Sequence, residues 1–417
     1  MGDLSANVLD TAYVGISVNI TTGAITRRGN WATQPEGSWI GDGASPLLSE
    51  LQNCVLQDNG QVHKWISKNS LSLHTDGTET DLSGGNGQIM THYRKGYVRY
   101  GSLTGDEFTI DISHLALPGF ELFPAFMNEK PFYLGRYEAS RVPGASVLSS
   151  ICIDPRDGVS PVWPATQRGS DEWGIPSGAT PQYFLTLANN RGTGWKTAKY
   201  SWYAWHELLM SIGYASMNAQ ARTGAGRTAL SGCTWVRDQD NGNLGYIGRC
   251  GLGNDISQNG SIRNGGTAGV LTDVVVEGRR ENTFGNVWKG LVDFLVDAQG
   301  ERKVYIKHAP PYSTTSFADY ETIKDANGND IVLPDASGWK GYPFSGLGYF
   351  FSPVNNGNSS NFSGDYFWIN TDGLRGGRVG AHANHGSRAG GSALAASAGP
   401  AYAAAGLGSL LGFQEDE

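Results

Sequence analysis

The sequence is poor in cysteine and has no long apolar run. Its 417 residues contain four cysteines, Cys54, Cys152, Cys233 and Cys250, and none belongs to a C-x-x-C pair. These do not make a disulfide framework, so we expect mostly buried thiols. A bridge between Cys233 and Cys250, which bracket a loop-like segment, stays open as the alternative, although nothing in their spacing demands it. No apolar stretch approaches the length of a membrane span, and we therefore expect no membrane insertion.

Positive charge is also in short supply. The chain has 31 Lys and Arg against 39 Asp and Glu, a formal net charge of -8. Proteins that bind nucleic acids carry a broad basic field that neutralises phosphates, so we expect no nucleic-acid partner. Hydrophobic residues, at 39% with 12 Trp, 18 Tyr and 15 Phe, suffice for a sizeable core, and 59 Gly indicate many turns and loops.

Five residue types are missing from the last part of the chain. Residues 376–413 contain no Lys, Glu, Gln, Met or Trp, although all five occur before them. An Asn codon that ends in a pyrimidine and is randomised only at its two adenines can encode none of these five. The absence fits adenine-directed diversification, and drift toward small residues would produce it as well.

The same tract is dominated by Gly, Ala and Ser, a composition typical of flexible linkers. Large residues nevertheless recur along it, including Val379, Leu394, Tyr402 and Leu407, and a disordered tail has no use for apolar anchors. The tract comes after an aromatic-led segment, residues 364–370, and it is framed by Leu374-Arg-Gly-Gly and Leu411-Gly-Phe. We therefore predict that it is packed.

With this frame, the sequence resembles the variable proteins of diversity-generating retroelements, whose C-terminal region reads Arg-Gly-Gly, a randomised tract and Ile-Gly-Phe-Arg. The chain departs from that pattern at Gln414, where Arg is usual, and at Val379, near the usual Trp. The resemblance extends upstream to the C-type lectin fold shared with formylglycine-generating enzymes. Its upstream pieces are residues 117–126, 132–138, 203–208 and 281–288.

The resemblance implies an α+β, C-type lectin fold (formylglycine-generating-enzyme-like) that is rich in loops. Residues 1–115 would form a β-rich N-terminal lead-in or attachment region, and residues 116–417 a ligand-binding domain with a variable region at 376–413. The protein would be a non-enzymatic binder of a host cell-surface protein or glycan, displayed on a virion or alternatively on a cell surface. Its oligomeric state stays open.

Within the tract, we select as ligand-binding residues those with recognisable side chains among neighbours that offer little, because such side chains dominate binding surfaces. They are Arg378, Val379, His382, Asn384, His385, Arg388 and Tyr402. Two alternatives stay open: the histidines satisfy backbone groups, or Tyr402 is a core anchor.

Local patterns predict several elements. Residues 13–20 alternate before a turn and predict a hairpin, residues 46–56 and 202–212 predict helices, and residues 274–277 and 304–308 predict strands. Residues 286–296 fit either a short helix or an extended core segment. His206, on the second helix, is interpreted as a core or hydrogen-bonding residue rather than a metal ligand.

An enzyme and a purely structural virion protein are the alternatives. Formylglycine-generating enzymes work through cysteines near the C-terminal end of the fold, and this chain has none after Cys250, so no catalytic residue is assigned. A pair of acids close in space, as in glycosidases, stays open. The turn at 238–243 lacks the downstream Glu of a calcium loop, so no metal or cofactor is assigned.

Overall fold

The computed structural model describes residues 12–30, 32, 51–101, 104–141, 146–152, 179–228, 250–256, 260–262, 273–324, 328–339, 364–383, 385–404 and 406–415. Three sequence predictions fall outside these ranges: the bridging role of Cys233, the turn at 238–243 and the binding role of Asn384.

Most of the regular structure in the described ranges is strand. In chain order the strands are β1 (Val14–Asn19), β2 (Ile25–Gly29), β3 (Gln52–Leu56), β4 (Val62–Trp65), β5 (Gln88–Tyr93), β6 (Tyr97–Tyr100), β7 (Glu107–Ser113), β8 (Glu121–Leu122), β9 (Phe132–Gly135), β10 (Ser140–Arg141), β11 (Leu148–Ser149), β12 (Trp195–Thr197), β13 (Gly260–Ile262), β14 (Val274–Glu277), β15 (Arg280–Glu281), β16 (Trp288–Asp297), β17 (Val304–Ile306), β18 (Glu321–Thr322), β19 (Gly338–Trp339), β20 (Tyr366–Ile369), β21 (Leu374–Val379), β22 (Leu394–Ala398), β23 (Leu407–Gly408) and β24 (Leu411–Phe413).

Helices are few in the part of the chain that the structure describes. They are α1 (Pro181–Asn189), α2 (Tyr200–Tyr214) and α3 (Ala219–Thr223), with 3-10 turns at Pro124–Phe126 and Gly386–Arg388. A strand-rich chain with a few helices agrees with the predicted β-rich α+β class.

Three larger sheets organise the described ranges. The N-terminal sheet has the order β2-β1-β7-β6-β8, and a six-stranded sheet has the order β12-β24-β9-β5-β3-β4. The third runs β18-β17-β16-β21-β22-β20-β19, with β23 paired in parallel to β16. Strands from both sides of residue 115 share the six-stranded sheet, so strand pairing joins the predicted lead-in to the predicted ligand-binding region.

Helix α2 lies at the centre of the main core. Its sequence is apolar on every side, and a helix of that kind must be buried. All its residues except Tyr214 are buried. The Lys199 side chain does not cap the helix; instead the Asp293 carboxylate, on β16, accepts the Tyr200 N–H at 2.9 Å. A carboxylate there satisfies an unpaired amide and complements the helix dipole.

The frame of the C-terminal tract is explained by close packing. A Cβ atom at Gly377 would lie 2.5 Å from the Phe294 ring, and one at Gly412 would lie 2.4 Å from the Trp202 ring. Strand β24 is an inner strand, hydrogen-bonded to β12 on one side and β9 on the other. Gln414 is buried and donates to the Ala125 and Lys130 carbonyls. The tract is therefore packed at both ends.

Most local predictions are confirmed. The hairpin is β1 and β2, the central helix is α2, and the two predicted strands contain β14 and β17. One prediction is wrong within the described range: Gln52–Leu56 is a strand rather than the end of a helix, because it pairs with β5 and β4 on its two edges. Of the two forms considered for residues 286–296, the chain adopts the extended one, as β16.

Candidate functional site

The loop between β21 and β22 is held by backbone hydrogen bonds to a neighbouring segment. The Gly285 N–H donates to the Gly380 carbonyl at 2.8 Å, and the Ala383 N–H donates to the Asn286 carbonyl at 3.1 Å. Helix α3 adds a third support, because the Gln220 side-chain amide donates to the Gly386 carbonyl at 3.0 Å. These three bonds engage the loop through its backbone carbonyl and amide groups and not through its side chains.

The supporting segment is itself anchored by a buried ion pair. The Lys289 ammonium lies 3.0 Å from a Glu138 carboxylate oxygen, and both side chains are about 1% exposed. The same carboxylate accepts hydrogen bonds from the side-chain amides of Asn282 and Asn286. Burial raises the pKa of Glu138, while Lys289 and the two amides oppose that rise. Charged groups in the interior need such partners, so the pair fixes the segment in place.

Two adjacent glycines fit against buried carboxylates. A Cβ atom at Gly390 would lie 1.7 Å from an Asp365 oxygen, and one at Gly391 would lie 2.0 Å from both Glu207 oxygens. The Asp365 carboxylate also accepts the N–H of Ser392 at 2.8 Å and its hydroxyl at 2.7 Å. These two positions accept glycine and no larger residue without a shift of the buried acids.

The alanines of the tract are mostly interior. Those at most 1% exposed are Ala381, Ala383, Ala389, Ala393, Ala395 and Ala396. Four of the six belong to a core cluster that also contains Trp195, Trp288 and Phe413. Small residues therefore predominate here because the space beneath the tract is already filled by large ones.

The large polar and aromatic side chains of the tract gather on one surface with aromatic residues from β16 and β20. We call this the aromatic–arginine surface; Trp288, 5% exposed, is its buried floor and the other members are half-buried or exposed. Its members are Trp288, Tyr366, Trp368, Arg378, His382, His385, Arg388 and Tyr402.

The rings of this surface form a continuous chain of contacts. The Trp368 ring lies 4.8 Å from Tyr366, 4.7 Å from His385 and 5.2 Å from Trp288, measured between centroids. The His382 and His385 rings are 3.8 Å apart. Tilted and edge-on pairs at the distances found around Trp368 are favourable, so these rings support one another's orientation.

Both arginines rest on aromatic rings. The Arg388 guanidinium carbon lies 4.8 Å from the Tyr366 ring centre. That of Arg378 lies 4.6 Å from the Tyr402 ring and 5.3 Å from the Trp288 ring, and its Nη2 donates to the Ser397 hydroxyl at 2.9 Å. Cation–π contact holds a charge in place without neutralising it.

The two histidines are held in their neutral form. Burial lowers the pKa of His382 to about 2 and that of His385 to about 4, and the nearby Arg378 charge acts in the same direction. The His385 Nδ1 accepts the His382 N–H at 3.2 Å, which leaves Nε2 as the protonated nitrogen of His385.

The structure thus brings together five of the seven predicted binding residues, namely Arg378, His382, His385, Arg388 and Tyr402. Val379 is 2% exposed and packs in the main core, so we leave it out of the surface. Asn384 lies outside the described residues. For the histidines and Tyr402, the alternatives apply in part: His385 does bond a backbone N–H, whereas Tyr402 is 40% exposed rather than a buried anchor.

Sequence reasoning did not select Trp288, Tyr366 or Trp368. The aromatic run 366–368 directly before the tract was a usable signal, because alternate residues of a strand share a face. Trp288 lies about 90 residues upstream and gives no local signal.

Within the described residues, one group of three side chains has the chemistry to hold a metal ion: His206, Glu207 and Glu277. The Arg222 guanidinium lies 2.9 Å from Glu207 and 2.8 Å from Glu277, so it already supplies the positive charge that these carboxylates need. His206 is fully buried, and its Nδ1 is 2.7 Å from the Tyr93 hydroxyl. We interpret this group as structural.

In comparisons with known proteins, no protein-family model and no curated protein sequence matches the chain. In the described part of the chain, no helix has both the length and the apolarity needed to cross a membrane.

Proposed function

We propose that the protein is a non-enzymatic ligand-binding protein with a C-type lectin fold of the formylglycine-generating-enzyme type. Its C-terminal tract, residues 376–413, is diversified by a retroelement, and it is displayed on a virion, or alternatively a cell surface, to recognise a host protein or glycan. One observation carries the proposal. The backbone between β21 and β22 is fixed by the scaffold, whereas Arg378, His385, Arg388 and Tyr402 stand on a surface.

The identities of the surface residues support diversification. Arg, His, Ser and Tyr can all be reached from an Asn codon randomised at its two adenines, and the tract places Arg388, His385, Ser387 and Tyr402 at its surface. The buried positions of the tract carry mainly Gly, Ala, Leu and Val, which the same randomisation also reaches, so burial rather than residue type separates the two sets. A diversifying system that varies only exposed positions would leave the packing intact.

Sequencing the encoding locus tests the diversification directly. We expect a near-copy of the coding region for residues 376–413 beside a reverse transcriptase gene, with differences confined to adenines. The differing codons should include those of His385, Arg388 and Tyr402, and should spare those of Gly390 and Gly391. A locus with neither template nor reverse transcriptase would remove this part of the proposal.

A surface variant tests the binding role. We expect Arg388→Ser alone to leave the free energy of unfolding within about 0.5 kcal/mol of the parent, as for exposed substitutions in general. Arg388→Ser together with His385→Ser should cost about 1 kcal/mol, because the His382 N–H loses its acceptor. The same variant should lose attachment to cells of the host identified from the locus. A loss of several kcal/mol in stability would show that these residues have core roles.

The purely structural alternative is supported by the buried alanines, which show that much of the tract is interior packing. It predicts that the surface variant keeps full function. For the enzyme alternative, Glu207 and Glu277 are close carboxylates, but both are at most 1% exposed and paired with Arg222, so substrate cannot reach them.

A further inference from the structure

The C-terminal tract is cationic within an acidic chain. Between Asp372 and Glu415 the sequence contains no Asp or Glu, but it contains Arg375, Arg378 and Arg388. In a protein with a net charge of -8, the tract itself therefore carries only positive charge, which favours an anionic ligand.

The two acids that directly precede the tract in sequence are already engaged. The Asp365 carboxylate is 1% exposed and bonded to Ser392, and Asp372 lies 3.6 Å from Arg375. Within the described residues, neither Arg378 nor Arg388 forms an ion pair with a carboxylate. Both contact aromatic rings instead: Arg388 contacts Tyr366, and Arg378 contacts the buried Trp288 and the exposed Tyr402.

Arg378 is the more desolvated of the two arginines. Burial lowers the pKa of its guanidinium, and its Nε has no hydrogen-bond partner among the described residues. A guanidinium removed from water and left without an anion is costly. A bound carboxylate would offset that cost through charge-assisted hydrogen bonds.

The remaining groups fit a polyhydroxylated ring rather than a peptide. Tyr366 and Trp368 offer half-buried aromatic surface, which packs well against the apolar face of a pyranose. His382 and His385 are neutral, and the Nε2–H of His385 is a hydrogen-bond donor suited to a hydroxyl oxygen. Partly exposed rings beside a few polar groups suit a saccharide, whose own surface alternates apolar C–H faces with hydroxyls.

We propose that the aromatic–arginine surface binds an acidic saccharide. Arg388 contacts its carboxylate first, Arg378 supplies the second positive charge, and Trp368 packs against a sugar ring. This inference rests on the proposed function, because it assigns the ligand class of the same surface.

Titration calorimetry with the full chain tests the inference. The probes are tetragalacturonate and 3′-sialyllactose, with galactotetraose and lactose as their neutral counterparts. We expect the acidic probes to bind at least about tenfold more tightly than the neutral ones. Arg388→Gln should weaken binding about ten- to a hundredfold, since a hydrogen bond to a charged group is lost. Arg94→Gln, which removes an exposed charge next to β5 in another sheet, should leave it unchanged.

Each contrary outcome identifies what fails. Equal binding of acidic and neutral probes, or an equal loss in Arg94→Gln, would overturn the assignment of the charge to Arg388. Binding of an oligoglutamate peptide but of neither acidic saccharide would overturn the saccharide class, as would no binding of any probe. In each case the proposed function stands if the His385 and Arg388 double variant still loses host attachment, and it fails separately if attachment persists.

Discussion

Replacing Gly391 by alanine tests the packing beneath the aromatic–arginine surface. The added Cβ atom would lie 2.0 Å from both Glu207 oxygens. Glu207 has little room to withdraw, because it is buried and its Oε2 accepts from Arg222 at 2.9 Å. Overpacking a core costs about 1–3 kcal/mol. Because this change also strains a buried ion pair, we expect the free energy of unfolding to fall by about 3 kcal/mol.

Two neighbouring substitutions separate overlap from backbone strain. At Gly386, φ is +60° and no atom lies within 4 Å of an added Cβ, so Gly386→Ala should cost only the strain of a left-handed conformation, about 1–2 kcal/mol. Ser387 is exposed on the same turn, and Ser387→Ala should change stability by less than about 0.5 kcal/mol.

Urea unfolding monitored by tryptophan fluorescence measures the three variants against the parent. If the slope of the transition is unchanged, shifts in its midpoint report stability. We expect the loss to be greatest for Gly391→Ala, smaller for Gly386→Ala and negligible for Ser387→Ala. A Gly391→Ala protein as stable as Ser387→Ala would refute the placement of Glu207 against the tract.

Three further predictions concern the scaffold and the surface. Lys289→Met should lower the free energy of unfolding, measured in urea, by about 3–5 kcal/mol, because it leaves the Glu138 carboxylate buried without its cation. Adding Glu138→Gln should recover part of that loss, and a double variant no more stable than Lys289→Met would contradict this. Burial holds the pKa of His382 at about 2 and that of His385 at about 4, below the ordinary 6.5. As the pH falls, the unfolded chain therefore takes up protons before the folded one, so the stability that the neutral histidines contribute should be fully present above about pH 7 and decrease from pH 6.5 toward pH 4. His385→Gln should make the urea midpoint less dependent on pH over this range. Ala393→Leu should lose about 1–3 kcal/mol by overpacking a fully buried position, and a loss no larger than that of the exposed-serine control would show that the tract is less tightly packed.

Local sequence patterns were sufficient where one segment determines its own structure. The alternation before the turn at 21–24 gave the β1–β2 hairpin, and the all-round apolar pattern of α2 gave a buried helix. The failure at Gln52–Leu56 has the opposite cause. This segment is hydrogen-bonded to strands on both edges, and long-range pairing overrides a local helical pattern.

The sequence by itself determined which side chains of the tract are large and polar, and so which are candidates for binding, because Arg, His and Tyr stand out among Gly, Ala and Ser. It could not separate Val379 from Arg378: they are adjacent on β21, but alternate residues of a strand face opposite sides, and only the sheet decides which side is the core. Only the tertiary structure placed Trp288 against Trp368 and His385, because it joins segments far apart in the chain. Only the tertiary structure also showed why the tract has glycine at several positions, since the space that a larger side chain would need there is occupied by Glu207, Asp365 and Phe294.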